Sequence, residues 1–349
     1  MRIKILGDGG GIGDTLRRIG IVRAIKQAIS DAVVWLVVPE ELVDWALLDP
    51  VADQLVTAAV NGRRGMSSPP IPDWYQYVWV GHPFDVLIDL YDPAEMAENR
   101  IAGPVRYNRA EVWLQLAASL LNVPLQLQQC KLLPNEGAAA TAASILHETI
   151  GKPRLVIGLQ PLSHWRWRSL CFDQVHDMVK RLNRLGAQCI LFHHIDQPIK
   201  QWAEQLGVTA ITGEKPAVIV EAIRLCDGFV SCDSGLFHVA GALAVPTVGL
   251  FAQTDGTLIS RSYASCRALT AGLRERKGRA CTMPCYRRET HGCYRIICDS
   301  GCQALHRVSG KAAADLLLRL IVELQGKHLP PTTLKGRLFY NKYRSVSTP

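Results

Sequence analysis

Phe229-Val230-Ser231-Cys232-Asp233-Ser234-Gly235-Leu236-Phe237-His238-Val239-Ala240-Gly241-Ala242-Leu243-Ala244 runs from an apolar stretch through an acidic-Ser-Gly turn into a second apolar stretch. Pro246-Thr247-Val248-Gly249-Leu250-Phe251 follows. The pattern predicts strand, turn, helix and buried strand. A helix opening at Asp233-Ser234-Gly235 turns free N–H groups and its positive dipole end toward an anion. Ser234 and Asp233 add hydrogen-bonding side chains, and His238 falls one turn along on the same side. The segment suits a diphosphate. It equally suits an N-capped helix carrying a satisfied histidine.

Outward from this stretch, strands and helices alternate. Strands are expected at 3–6, 32–38 and 86–90, with helices at 15–29 and 111–121. A second series begins after Gly151-Lys152-Pro153. Its strands are expected at 155–159, 188–192, 208–211, 228–232 and 245–251, and its helices at 171–185, 199–206, 216–225 and 303–325. Residues 138–150 fit a linking helix. Alternation of this kind predicts doubly wound parallel sheets. Two such units in tandem, 1–150 and 151–325, bind ligands in the cleft between them. A basic tail, 326–349, closes the chain.

The 349 residues are 48% apolar and 20% charged, which describes a globular protein. No apolar run reaches the roughly 20 residues of a membrane span. The N-terminus runs directly into a glycine turn, so the expected location is the cytoplasm, including the inner face of the inner membrane. The net charge of +8 is unevenly placed. Nine Lys/Arg and two Glu lie between Arg261 and Arg295, and five Lys/Arg and no acid follow Leu324. Such patches favour phosphate-bearing partners. No nucleic-acid motif accompanies them, and no nucleic-acid partner is expected.

Near the N-terminus, Gly7-Asp8-Gly9-Gly10-Gly11-Ile12-Gly13-Asp14 lacks the third small residue of a dinucleotide fingerprint. No Gly-Lys-Ser/Thr follows to make a Walker loop. What remains is a loop that approaches a ligand closely and ends in a carboxylate at a helix start. Asp14 is either an N-cap or a general base at the cleft.

Gly11-Ile12-Gly13-Asp14-Thr15-Leu16-Arg17 resembles the opening of the bacterial lipopolysaccharide heptosyltransferases, glycosyltransferase family 9. Asp233-Ser234-Gly235-Leu236-Phe237-His238-Val239-Ala240 is similar to that family's Asp-Thr/Ser-Gly-x-x-His-x-Ala segment. Pro161-Leu162-Ser163-His164-Trp165-Arg166-Trp167 resembles its segment after the first strand of the second domain. The resemblance implies a GT-B fold, with two Rossmann-like domains facing across a cleft. It also implies inverting transfer of a heptose or related sugar, usually from ADP-heptose, without a catalytic metal. Asp14 would deprotonate the acceptor hydroxyl, with Gly13 and Thr15 beside it. Ser163, Ser234, Gly235 and the helix N-terminus would hold the diphosphate, with Asp233 and His238 on the sugar side. Arg166 or Arg168 would neutralise the departing nucleotide. Trp165 stands where the family usually has Lys, and Arg168 is placed to supply the missing charge. Asp196 would contact adenosine, by position alone. The acceptor is a glycolipid of the lipopolysaccharide core, another glycan or a protein hydroxyl, and homo-oligomerisation is left open. The alternatives are a non-catalytic nucleotide- or glycan-binding homologue and a sugar-nucleotide-modifying Rossmann enzyme.

Of eleven cysteines, five fall in Cys281-x3-Cys285-x7-Cys293-x4-Cys298-x3-Cys302. Cys281, Cys285, Cys298 and Cys302 could form a tetrahedral S4 site for structural iron or zinc. The other reading is reduced loop cysteines. The autotransporter heptosyltransferases, to which this spacing is similar, carry a cysteine-bound iron in the corresponding region.

Overall fold

The computed structural model describes residues 1–7, 10–58, 84–90, 108–150, 155–164, 166–193, 198–252, 254–271, 274–276, 279–281, 302 and 304–326, the backbone alone at 58, 147–150, 274–276 and 279–281. It contains two parallel sheets flanked by helices.

The first sheet holds β1 (Arg2–Leu6), β2 (Val33–Pro39), β3 (Gln54–Ala58) and β4 (Val86–Asp89) in the order β3-β2-β1-β4. All three pairings are parallel, with Ile5 opposite both Leu36 and Ile88. Helix α1 (Ile12–Ala28) follows β1, and a short α2 (Val43–Ala46) follows β2. Helix α3 (Arg109–Leu121) completes this half, and α4 (Glu136–Ile150), which follows it, packs against the helix Pro216–Arg224 that belongs to the second sheet. Helix α1 begins three residues before the sequence expectation. Extended Gly11 is its N-cap, so Asp14 sits in the first turn and accepts the Gly11 N–H at 3.4 Å. The carboxylate thereby satisfies one of the donors that a helix start leaves unpaired.

The second sheet holds β5 (Leu155–Gln160), β6 (Ala187–His193), β7 (Thr209–Thr212), β8 (Gly228–Cys232), β9 (Thr247–Phe251) and β10 (Cys266–Thr270). Its order is β10-β9-β8-β5-β6-β7, all parallel. Numbered from β5, this is the 3-2-1-4-5-6 arrangement of a dinucleotide-binding sheet. Between the strands run α5 (Phe172–Asn183), α6 (Ile199–Leu206), α7 (Pro216–Arg224), α8 (Gly235–Ala242) and α9 (Gly256–Ser260). Helix α10 (Gly310–Gln325) returns to cover the face that α5 also covers. The expected helix 303–325 is shorter because Ser309 caps it, its hydroxyl accepting the Ala312 N–H. Residues 305–307 form a separate 3-10 turn before extended Val308. Sequence reading made no assignment for β3, β10, α2 or α9. These are short elements whose alternation is too brief to register.

The apolar core runs without a break from the first sheet to the second. Ile3, Ile5, Trp113 and Leu146 belong to the same buried cluster as Ile190, Phe192, Phe229 and Val239. A second core fills the other face of the second sheet, where Ile157 and Val175 meet Leu317 and Ile321. Polar ties reinforce the joint between the halves. Asn108 Nδ2 donates to Leu258 O at 2.9 Å and Ser262 Oγ at 2.7 Å. Gln129 Nε2 donates to Ser262 O at 2.7 Å, and Glu221 accepts the Asn135 N–H at 3.0 Å. Residues 274–276 and 279–281 pair as an antiparallel hairpin, β11 and β12, carrying part of the basic run and the backbone of Cys281. No helix among the described residues is long and apolar enough to cross a membrane.

Candidate active site

In an open parallel sheet, ligands bind beyond the carboxyl ends of the strands, where strand order reverses. In the second sheet that point lies between β5 and β8. The loop after β5 carries Ser163, and the turn after β8 carries Asp233, Ser234 and Gly235. The Ser231 hydroxyl lies 3.0 Å from Gln160 Oε1 and ties the two strand ends together. In the first sheet the reversal lies between β1 and β4, and β1 leads directly to the start of α1. The two helix starts that leave these points, α1 and α8, meet each other. A Cβ on Gly235 would come within 2.7 Å of Ile12 Cβ, and a Cβ on Gly13 would overlap the His238 imidazole. Only glycine permits this approach at either position.

Asp14 lies at this seam with its side chain 15% exposed. Arg109 Nη1, from the first residue of α3, is 3.2 Å from each carboxylate oxygen. Arg17 Nη1, one helical turn on, is 3.4 Å from Oδ1. Burial raises the Asp14 pKa. Arg109, then Arg17, Arg18 and His238, more than reverse this and hold the carboxyl well below the usual range. Arg18 stacks on Trp113 at 4.9 Å and donates to Gly7 O at 2.8 Å. Gly13 is buried at the contact. Thr15 is fully buried, with its hydroxyl donating to Gly11 O, so it faces the helix and not the cleft.

On the opposite side, Asp233 is buried and accepts from Thr254 Oγ1 at 2.6 Å. Arg168 Nε approaches its Oδ2 at 3.6 Å. The turn after β5 thus reaches the turn after β8 through an Arg–Asp pair, and both side chains were expected at the site. Arg166 opens the same 3-10 turn but is exposed, and Trp167 is half-buried. The Ser163 backbone is clamped by Ser169, whose Oγ accepts the Ser163 N–H at 3.0 Å. Ser234 is the N-cap of α8 in extended conformation, yet its side chain makes no capping hydrogen bond. Phe237 N–H donates to Ser234 O at 3.2 Å, so it is the N–H groups of Gly235 and Leu236 that face outward for another acceptor.

His238 is buried, and its Nδ1 lies 3.1 Å from Tyr263 Oη. Burial and Arg17, with Arg109 behind it, hold its pKa well below the ordinary histidine value against the pull of Asp14. His238 therefore belongs to the seam between the halves as much as to the Asp233 turn.

Asp196, Trp165, Cys285 and Cys298 lie outside the described residues, and Cys281 is described only in its backbone. Cys302 is a half-buried free thiol against the second core. Sequence reasoning missed Arg17, Arg109, Thr254 and Tyr263. Arg17 had a local signal, three residues after Asp14 on a helix. The other three reach the site through the fold alone.

The sequence model of glycosyltransferase family 9 (heptosyltransferase) matches residues 96–287, more than half of the chain. No curated protein matches the chain in sequence. Among solved structures, a family 9 glycosyl transferase from Veillonella parvula is similar at 16% identity, covering 92% of this chain and 97% of its own, with a TM-score of 0.70. The ADP-heptose lipopolysaccharide heptosyltransferase II of E. coli is 16% identical over 93% of this chain and 100% of its own, with a TM-score of 0.63. TibC of E. coli, a dodecameric iron-containing heptosyltransferase solved with ADP-D-beta-D-heptose, is 12% identical, covers 93% of this chain and 77% of its own, and has a TM-score of 0.53. At such identities these structures establish the fold, two facing parallel α/β units of the GT-B kind. The family match, over residues 96–287, which hold Arg109 and the Asp233–His238 turn but not Asp14, makes this chain a glycosyltransferase belonging to glycosyltransferase family 9, the heptosyltransferase family.

Proposed function

We propose that this chain transfers a heptose, with inversion, from ADP-heptose to a hydroxyl of a glycan, a lipopolysaccharide core or a protein. One observation carries the reading. The starts of α1 and α8, each at the strand-order reversal of its own sheet, meet with Asp14 on one side and the Asp233-Ser234-Gly235 turn on the other. We assign 1–150 to the acceptor and 151–325 to the nucleotide-sugar.

The diphosphate is taken by the Gly235 and Leu236 N–H groups at the start of α8, with the Ser234 hydroxyl and the Ser163 loop beside them. Arg168, already at Asp233, and Arg166, exposed on the same turn, neutralise charge growing on the departing nucleotide. Asp14 accepts the acceptor's proton. Its low basicity is compatible with that task. In a transition state with oxocarbenium character the hydroxyl becomes strongly acidic as it bonds to the anomeric carbon. A weak base that is fully ionised then suffices. Thr15 supports the helix start and is not assigned a substrate contact, and Asp196 keeps its positional assignment to adenosine.

Cys281, Cys285, Cys298 and Cys302 are proposed to hold a structural iron or zinc, in support of which TibC is iron-containing. The basic run near them suits an anionic acceptor or membrane surface. A thermal-shift panel of ADP, ADP-heptose, GDP-sugars and UDP-sugars tests the donor assignment. ADP and ADP-heptose should raise the melting temperature and the others should not. A shift with UDP- or GDP-sugars alone would replace the donor.

A further inference from the structure

Tyr263 follows α9 and ends with its ring against α8. Both it and His238 are 6% exposed. The Tyr263 ring stands over Gly241, where a Cβ would come within 2.5–2.8 Å of three ring carbons. Phe237 packs edge-on to the Tyr263 ring at 6.2 Å and to His238 at 5.5 Å. The two polar rings are therefore fixed, and their mutual hydrogen bond is built into the core of the second half.

Proton accounting decides its direction. Among the described residues, the bond to His238 Nδ1 is the one hydrogen bond of Tyr263 Oη. Burial keeps the phenol protonated, raising its pKa. If Nδ1–H donated to Oη, the buried phenol proton would have no acceptor, which is costly. If Oη–H donates to Nδ1, every proton is placed. A neutral imidazole carries one N–H, so it then sits on Nε2. Nε2 points at the start of α1, 2.9 Å from where a Gly13 Cβ would stand. Among the described residues it makes no hydrogen bond.

We propose that Tyr263 is a positioning residue that fixes His238 as its Nε2–H tautomer. His238 then presents one hydrogen-bond donor, and no basic nitrogen, to a substrate oxygen at the seam beside Asp14. Asp14 is left as the base there among the described residues. The identity of that oxygen as a substrate's rests on the transferase reading above, whereas the tautomer does not.

Two measurements separate the two claims. Long-range proton–nitrogen correlation spectra of the full chain with labelled histidine, without substrate, read the tautomer of His238 directly. The His238 signals are those missing from H238Q. A protonated Nε2 and a bare Nδ1 are expected, with Tyr263→Phe converting this to a tautomer mixture. A protonated Nδ1 in the wild type would overturn the proposal whatever the enzyme transfers. The second measurement is transfer kinetics with ADP-heptose. Gln at 238 can place an amide N–H where Nε2–H was, and Asn cannot. H238N should therefore lose roughly tenfold more in kcat/KM than H238Q, the worth of one hydrogen bond. Tyr263→Phe should lower the rate several-fold in the wild-type background and hardly further in H238Q, which has no tautomer to fix. An equal effect of Tyr263→Phe in both backgrounds would reduce Tyr263 to packing and overturn its positioning role.

Discussion

Arg109 Nη1 lies 3.2 Å from both carboxylate oxygens of Asp14, joining two residues 95 positions apart. A carboxylate so placed is ionised at every working pH, and its direction is set by α3 as well as by its own helix. The side chain proposed as the base is thus also a structural link between α1 and α3.

Asp14→Asn should lower the transfer rate by roughly 10²–10⁴-fold, the contribution of a general base. The affinity for ADP should stay within about twofold, because the nucleotide is assigned to the other half. The amide also leaves Arg109 and Arg17 without their counter-charge, so a lower melting temperature is expected beside the kinetic loss. Calorimetry with ADP and single-turnover transfer separate the two effects. Full activity in the Asn variant would leave Asp14 with its capping and ion-pair roles alone.

Arg109→Gln should raise the Asp14 pKa toward the ordinary carboxylate value, since Arg109 is the largest of the lowering influences. The acid limb of kcat/KM should then appear at higher pH than in the wild type. The stability sign follows from the same shift. Asp14 is depressed in the folded chain, so its contribution is present above the unfolded value of about 3.9 and is lost as pH falls toward the folded one. The stability difference between wild type and R109Q should therefore be full near neutral pH and shrink below about pH 4. Denaturant midpoints across that range measure it.

Much of this architecture was legible in the sequence because its strands are buried on both faces and its helices are periodic. The Asp233–His238 turn, the α1 start and the Ser163 loop were legible because each carries its chemistry within a few residues. What escaped was of two kinds. β3 and β10 are five-residue strands at the sheet edges, exposed or half-buried along most of their length. Arg109 and Tyr263 reach Asp14 and His238 only through packing within each half, α3 against α1 and the segment after α9 against α8, and sequence spacing carries no trace of that. The role of His238 was incomplete for the same reason, since its neighbour Gly13 belongs to the other half of the molecule.

His238 makes stability depend on pH in the opposite chemical sense from Asp14, but with the same direction. Its folded pKa is depressed by burial and by Arg17, so the unfolded chain binds a proton first as pH falls below about 6.5. Wild type should lose stability relative to H238Q through that window, by up to about 1.4 kcal/mol per pH unit. Asp14 partly offsets this, and Tyr263 opposes protonation by occupying Nδ1. A flat difference between pH 7 and 5 would show that the folded imidazole takes up its proton normally.

The purified chain should carry about one tightly held iron or zinc, since a four-thiolate set closes the coordination sphere. Cys281→Ser should lower the melting temperature more than Cys293→Ser, and chelation should mimic the first. Elemental analysis of protein made without an affinity tag decides this. Near-zero metal with rapid alkylation of all five thiols would leave reduced cysteines.

Asn108 is one of the side chains that tie the two halves together. It is buried, and its Oδ1 accepts the Ala110 N–H at 3.0 Å as the N-cap of α3. Its Nδ2 reaches across to Leu258 O and Ser262 Oγ. Asn108→Ala removes a cap, worth about 1 kcal/mol, and strands the Leu258 carbonyl, for a further ~1–2 kcal/mol. Asn108→Asp keeps the cap but sets a carboxylate against that carbonyl, so it should be no milder than Ala. Ser262→Ala loses one partner of several and should cost under about 1 kcal/mol. Because α3 also carries Arg109, the Asn108 variants should additionally disturb transfer, whereas Ser262→Ala should affect stability alone. Denaturant melts and kcat/KM on the three variants test the ordering. Equal costs for Asn108→Ala and Ser262→Ala would mean that the two halves are held by their shared apolar core and not by this polar tie.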